Sequence, residues 1–178
     1  MSSSVLSERI QRIKPSPTLA ITAKAKQLKQ QGVDIIGLGA GEPDFDTPLH
    51  IKQAAITALN NGQTKYTAVD GTVELKSAIQ KRYKDLNLNY DLDQIVVSSG
   101  GKQGIYNLAL SILDKGDEVI IPAPYWVSYP DIIKIADAEP VIIDTNAKQK
   151  YKITSEQLEK AITPNTKLFI LNSPSNPS

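Results

Sequence analysis

Between Gln94 and Leu113 the chain reads QIVVSSGGKQGIYNLALSIL. Gly100 and Gly101 lack side chains and let a ligand approach the backbone, and Lys102 adds a charge beside them. Ile95, Val96 and Val97 predict a short buried strand before this turn. Ile105, Leu108, Ala109 and Ile112 recur at helical spacing and predict a helix starting near Gly101 or Lys102. Strand, glycine turn and helix start together make a phosphate cup, because the first-turn N–H groups and the positive dipole end face whatever sits above the strand. The same residues equally describe a plain strand-to-helix connection, with Lys102 turned to solvent. A Walker A loop is excluded, since Val96 and Gln103 stand at its first glycine and hydroxyl positions. A dinucleotide fingerprint fails as well: Gly37 and Gly39 are followed by Glu42 where a third glycine is needed.

A second concentration of chemistry is PAPYWVSYP, Pro122–Pro130, with three prolines and three aromatic rings at the end of an apolar run. Trp126, the only tryptophan, is either core or a flat plate for a planar ligand. GLGAGEPDFDTP, Gly37–Pro48, is too rich in glycine, proline and acid for a regular element; it is a solvated connection or a wall of a site, with Gly41 offering backbone N–H. Tyr66 reads as a packed aromatic in preference to a phenol aimed at a site, and Lys14 as a solvated charge. His50, the only histidine, reads as a surface residue, which leaves no Ser-His-Asp arrangement and no histidine metal site. With zero cysteines there are no disulfides, thiolate ligands or cysteine nucleophile.

Composition sets the class. The chain has 178 residues, 40% hydrophobic and 22% charged, as expected of a globular chain of one domain with a small appendage. A net charge of +1 gives no electrostatic case for nucleic acid or an acidic membrane surface. No apolar run spans a bilayer, and the N-terminus, with Glu8 and no apolar core, is unlike a secretory signal; the cytoplasm is the expected compartment.

The elements that position these residues follow in order. Residues 5–13 predict a short helix or arm. Ser16-Pro17 opens a helix that Gly32 closes. Val33–Leu38 predicts a strand. Thr47-Pro48 caps a helix ending at Asn61-Gly62, and an irregular segment runs from Lys65 to Gly71. Val73–Leu86 predicts an amphipathic helix, with Val73, Leu75, Ala78, Ile79 and Tyr83 on one face and Lys76, Lys81, Arg82 and Lys84 solvated. After a tight turn at Asp114–Asp117 come a strand at Val119–Ile121, a helix over Val127–Asp137 and a strand at Pro140–Ile143. Thr154, with Gln157, caps a helix ending near Ile162, and Leu168–Leu171 is a last strand. Alternating strands and helices predict an α/β fold with a mainly parallel sheet. The loops at Ser98–Gly101, Pro122–Pro130 and Asn172–Ser178 then converge on one sheet edge, where open α/β folds bind ligands.

Several blocks of this sequence resemble the class I pyridoxal-phosphate aminotransferases: GAGEPDFDTP (Gly39–Pro48), TKYT (Thr64–Thr67), SGGKQ (Ser99–Gln103), LDKGDEVIIPAPYWVSYPD (Leu113–Asp131) and NSPSNPS (Asn172–Ser178). The likeness is strongest to the bacterial aspartate and aspartate/prephenate group and covers essentially the whole chain. It implies a homodimer whose subunits each have a large α/β domain and a smaller one, with residues 1–45 as arm and start of the small domain and 46–178 as part of the large domain. It implies pyridoxal 5'-phosphate as cofactor and amino acids and 2-oxo acids as substrates, most simply aspartate with 2-oxoglutarate. Gly100, Gly101 and Lys102 match the phosphate anchor, and Trp126 matches the plate on the cofactor ring. Asn176 matches a contact to the ring oxygen and the substrate carboxylate, and Gly41 a backbone contact to substrate. Tyr66 matches a tyrosine reaching the phosphate in the neighbouring subunit, and Lys14 a mobile lysine near the substrate's side-chain carboxylate.

The resemblance also implies what to expect beyond the NPxG turn, here reaching Ser178. The family's cofactor-bonding lysine, ring-nitrogen aspartate, ring-oxygen tyrosine and carboxylate-clamping arginine follow that turn. No lysine in this sequence matches, so no residue is singled out as catalytic, the 178-residue chain is expected not to transaminate alone, and Leu168–Leu171 is expected to expose a sheet edge. The rival readings are a non-catalytic phosphate- or cofactor-binding module and one half of a split enzyme.

Overall fold

The computed structural model describes residues 5–39 and 41–176. They fall into two compact units, Met1–Ser16 with Ser99–Ser178, and Pro17–Ser98.

The first unit is built on a three-stranded parallel sheet, order β2-β1-β3. Its strands are β1 (Glu118–Pro122), β2 (Glu139–Ile143) and β3 (Thr166–Phe169). In register, Ile121 lies opposite Ile142 and Val119 opposite Leu168. The run Val119-Ile120-Ile121 has no alternation because β1 is the middle strand and is buried on both faces. Val119 and Ile121 pack with Ala109 of α5 (Gly101–Ile112), with Leu113 just after it, and with Tyr129, Ile132 and Ile133 of α6 (Ser128–Ile135). Gly116, at φ +98, makes the tight turn into β1, and the Asp114 N–H donates to the Asp117 carboxylate at 2.8 Å. A reciprocal pair of bonds between Thr154 and Gln157 starts α7 (Ser155–Ala161), as that spacing predicts. Ahead of the sheet in sequence, the arm carries the single turn α1 (Glu8–Gln11), capped by the Ser7 hydroxyl. Arg9 and Arg12 of the arm both pair with Asp137.

The second unit is helical: α2 (Pro17–Gln30), α3 (Leu49–Asn60) and α4 (Val73–Lys84). Gly32 and Gly62 follow α2 and α3 with φ of +81 and +74, the left-handed geometry that ends a helix. Here the structure departs from sequence expectation in four ways. Val33–Leu38 forms no strand, and Ile95–Val97 is extended but unladdered, the Val97 N–H donating to the Asp70 carbonyl at 3.0 Å. β-branched composition favours extension, but a strand also needs a neighbour to pair with, and that is a non-local condition. Thr47 does not cap α3; Pro48 holds the N-cap position with no side-chain bond. Val73, Leu75 and Tyr83 of α4 are exposed, whereas Lys76, expected in solvent, is buried. Its ammonium finds the Asp70 carboxylate, which compensates a burial that is otherwise unfavourable.

Candidate functional site

Gly100 occupies φ +85, ψ 161, a region essentially reserved for glycine, and is the N-cap of α5 without any side-chain capping bond. Gly101 opens the helix, as its spacing predicts. A Cβ added at either glycine would meet nothing within 4 Å, so the space above the turn is open. The Ser99 N–H donates to the Gln103 side-chain oxygen, which folds the turn back onto the first turn of α5. The result is a helix N-terminus with glycines at its mouth and the exposed ammonium of Lys102 beside it.

From the end of β1 the chain passes through Ala123–Pro124, a cis peptide, to Tyr125 and Trp126. Trp126 is half-buried. It packs beside the core, meets Tyr129 edge-on at 5.4 Å, and has the Lys102 ammonium 5.0 Å from its ring centre. It is thus at once a core residue and a plate with a cation over it. The loop after β3 joins this group: the Ser175 hydroxyl donates to the Pro124 carbonyl at 3.4 Å, and the Asn172 side-chain oxygen accepts from the Asn176 N–H at 2.9 Å. The Asn176 side chain is exposed. Parallel pairing of β1 with β3 puts both loops at the carboxyl edge of the sheet, so two of the three loops expected there do converge; the Ser98–Gly101 turn follows no strand of the sheet and meets them instead through Lys102 and Trp126. A cleft of about 450 Å³ lies between them and the Lys150–Ile153 segment, walled by Tyr125, Tyr151 and Asn172; Trp126 and Lys102 are not among its walls.

Among the sequence-predicted site residues, Gly100, Gly101, Lys102 and Trp126 form one cluster, with the Asn176 loop bonded to the Trp126 loop. Lys14 is exposed in the arm, two residues beyond Arg12. Gly41 and Tyr66 belong to the other unit. Gly41 is exposed, and Tyr66 is 107% exposed, which overturns the preference for a packed ring: none of the described residues of its unit covers it. His50 is on the surface of α3, as expected. Pro177 and Ser178, the end of the expected Asn-Pro turn, lie outside the described residues. Sequence reasoning missed the Asp70–Lys76 pair and the cleft residue Tyr151. Neither has a local signature, since each depends on what the fold places opposite.

The cluster fits a phosphorylated planar cofactor: open space over two glycines, the N-terminus of α5, an ammonium, and an indole face within reach of that ammonium. Among the described residues no group of acids or histidines could hold a metal ion, and no helix is long and apolar enough to cross a membrane.

The family model described as aminotransferase class I and II matches residues 33–178. The aspartate/prephenate aminotransferase of Nitrosomonas europaea is 66% identical over 97% of this chain and 44% of its own length. That of Cereibacter sphaeroides is 56% identical, again over 97% of this chain and 44% of its own. Among solved structures, the aspartate aminotransferase from Rhizobium meliloti superposes with a TM-score of 0.93 at 51% identity, covering 99% of this chain and 44% of that one. The Thermus thermophilus aspartate aminotransferase with maleate gives 0.95 at 45% identity, over 99% and 46%. The chain therefore spans less than half the length of the curated relatives it matches.

Proposed function

From the premise that the chain belongs to the class I and II aminotransferase family, we propose that it carries the phosphate anchor and ring plate of a pyridoxal 5'-phosphate site serving transamination of a dicarboxylic amino acid, most simply aspartate with 2-oxoglutarate. The observation that carries this reading is the Lys102 ammonium held 5.0 Å over Trp126 at the mouth of the Gly100–Gly101 turn. Each part suits one part of the cofactor. The backbone N–H groups and dipole of α5 attract the phosphate, and Lys102 adds a charge. Trp126 supplies a flat apolar face, and Asn176 supplies amide donors on the adjoining loop.

When bound, the cofactor acts as the electron sink that lets an amino acid lose its α-proton and exchange its amino group. The residues here bind and orient. A cation over an exposed aromatic face is worth about 0.5–1 kcal/mol. A hydrogen bond to a charged group is worth about 1.5–3 kcal/mol. The Lys102 ammonium would therefore prefer a phosphate at the glycine turn to the indole, and Trp126 would then offer a free face to the ring.

Two further parts of the reading rest on the relatives. The solved Thermus enzyme is named with maleate, a dicarboxylate, and the curated relatives are named for aspartate and prephenate, which favours a substrate with a second carboxylate. Gly41 and Lys14 are proposed to face that substrate, and Tyr66 to serve the phosphate site of a second copy in a homodimer; its full exposure suits that role. Residues 1–45 are proposed as arm and start of a small domain and 46–178 as part of the cofactor-binding domain. As a 178-residue chain the protein is proposed to bind but not to turn over. Phosphorus NMR tests the anchor directly: the pyridoxamine phosphate signal broadens with this chain and not with Lys102→Ala. A signal unaffected by the unaltered chain contradicts the reading.

A further inference from the structure

Lys76 is the one buried charged residue among those described, and with Ile95 the only buried side chain in the Pro17–Ser98 unit. It does not merely hide: its ammonium pairs with Asp70, whose side chain remains about half in solvent. Asp70 is used twice. Its carboxylate takes Lys76, and its backbone carbonyl takes the Val97 N–H at 3.0 Å. Gly71, next in the chain, lies so close to Val97 that a Cβ there would come within 2.5 Å of the Val97 Cγ2, with φ at +108 as well. The turn is closed by the Gly71 N–H donating to the Ala68 carbonyl at 3.1 Å. One point therefore fastens three segments: the first turn of α4, the end of the Tyr66 loop, and the extended stretch at Val97 from which the glycine turn continues.

We infer that Lys76 is a positioning residue, acting through Asp70 to fasten the Tyr66 loop to Val97. The functional weight of this fastening rests on the reading of Tyr66 given above; the fastening itself does not. Within the Lys65–Gly71 loop only Asp70 and Gly71 are half-buried and the rest is exposed, so its tyrosine is presented from this one base.

Lys76→Met tests it in the full chain. Methionine keeps most of the buried stem and removes only the charge, and Asp70 stays solvated, so α4 is expected to remain folded. Amide hydrogen exchange at Val97 and Gly71 is then expected to rise about tenfold, the scale of losing one hydrogen bond to a charged group. Amides in the middle of α4 keep their protection. Asp70→Asn gives the same change, and the double variant is no worse than either single one, because partners in one interaction do not add. Gly71→Ala, which strikes the same contact from the other side, also raises exchange at Val97. Unchanged exchange at Val97 in Lys76→Met overturns the inference. So does additivity with Asp70→Asn, or loss of protection throughout α4, since either makes Lys76 a general support of its helix. Tyr66→Phe separates the two claims: if it leaves the binding of pyridoxamine phosphate unchanged while Lys76→Met still frees Val97, the role given to Tyr66 fails and the fastening stands.

Discussion

The Lys102 ammonium lies 5.0 Å from the centre of the Trp126 ring, although the two residues come from different elements, the first turn of α5 and the loop after β1. This contact joins the anion-attracting end of a helix to an aromatic face. Lys102→Ala is expected to weaken pyridoxamine phosphate binding about tenfold to a hundredfold, the loss of one charge-assisted bond of about 1.5–3 kcal/mol. Isothermal titration of the two chains measures it, and equal affinities would remove Lys102 from the site.

The two glycines are expected to respond differently. Gly100→Ala forces a side chain onto φ +85 and costs about 1–3 kcal/mol of stability, although the space is open. Gly101→Ala sits in ordinary helical geometry and leaves stability unchanged or slightly raised, yet places a methyl group where the phosphate is proposed to lie. Thermal melts and binding titrations on both variants separate backbone strain from ligand exclusion. A Gly101→Ala chain that binds normally favours the plain strand-to-helix connection.

Much of this was legible in the sequence because it is local. Gly32 ends α2, Thr154 and Gln157 cap α7, and the glycines at 100 and 101 open α5, each through interactions within a few residues. The alternation of apolar runs and helical spacing was enough for the parallel sheet. What the sequence left open depends on distant partners. Val33–Leu38 and Ile95–Val97 have strand composition but no ladder, and Lys76 looks like part of a solvated helix face until the turn at Asp70 is folded over it. The site divides in the same way. Residue types marked Lys102 and Trp126, whereas their contact required the α5–α6 packing.

The arm at α1 is held by Arg9 and Arg12 on Asp137, whose carboxyl these partners, Arg12 foremost, keep below its ordinary value of 3.8. A depressed carboxyl contributes attachment fully above its unfolded value and loses it as pH falls through the folded one. The arm is therefore expected to stay docked at neutral pH and to release only below the ordinary aspartate range. Because the pairs are exposed, salt weakens them. Trypsin cleavage after Arg12 is expected to speed up in Asp137→Asn and at high salt; a rate indifferent to both would show that the arm is held by other contacts.

Ile133 is fully buried in the core cluster with Val119 and Ile121, against which Trp126 also packs. Ile133→Ala is expected to cost about 2–5 kcal/mol, read as a lowered denaturant midpoint. A loss under about 1 kcal/mol would mean that the helix collapses onto the cavity and the core is softer than its packing indicates.

The central claim is that the glycine turn and the indole together form a cofactor-phosphate half-site within this chain. Titrating it with pyridoxamine phosphate while following Trp126 fluorescence tests this most directly, since Trp126 is the only tryptophan and the ligand forms no covalent adduct with surface lysines. Saturable quenching that disappears in Gly101→Asp, with the circular dichroism of both chains unchanged, is the predicted result. A folded chain whose fluorescence is indifferent to the ligand would contradict it.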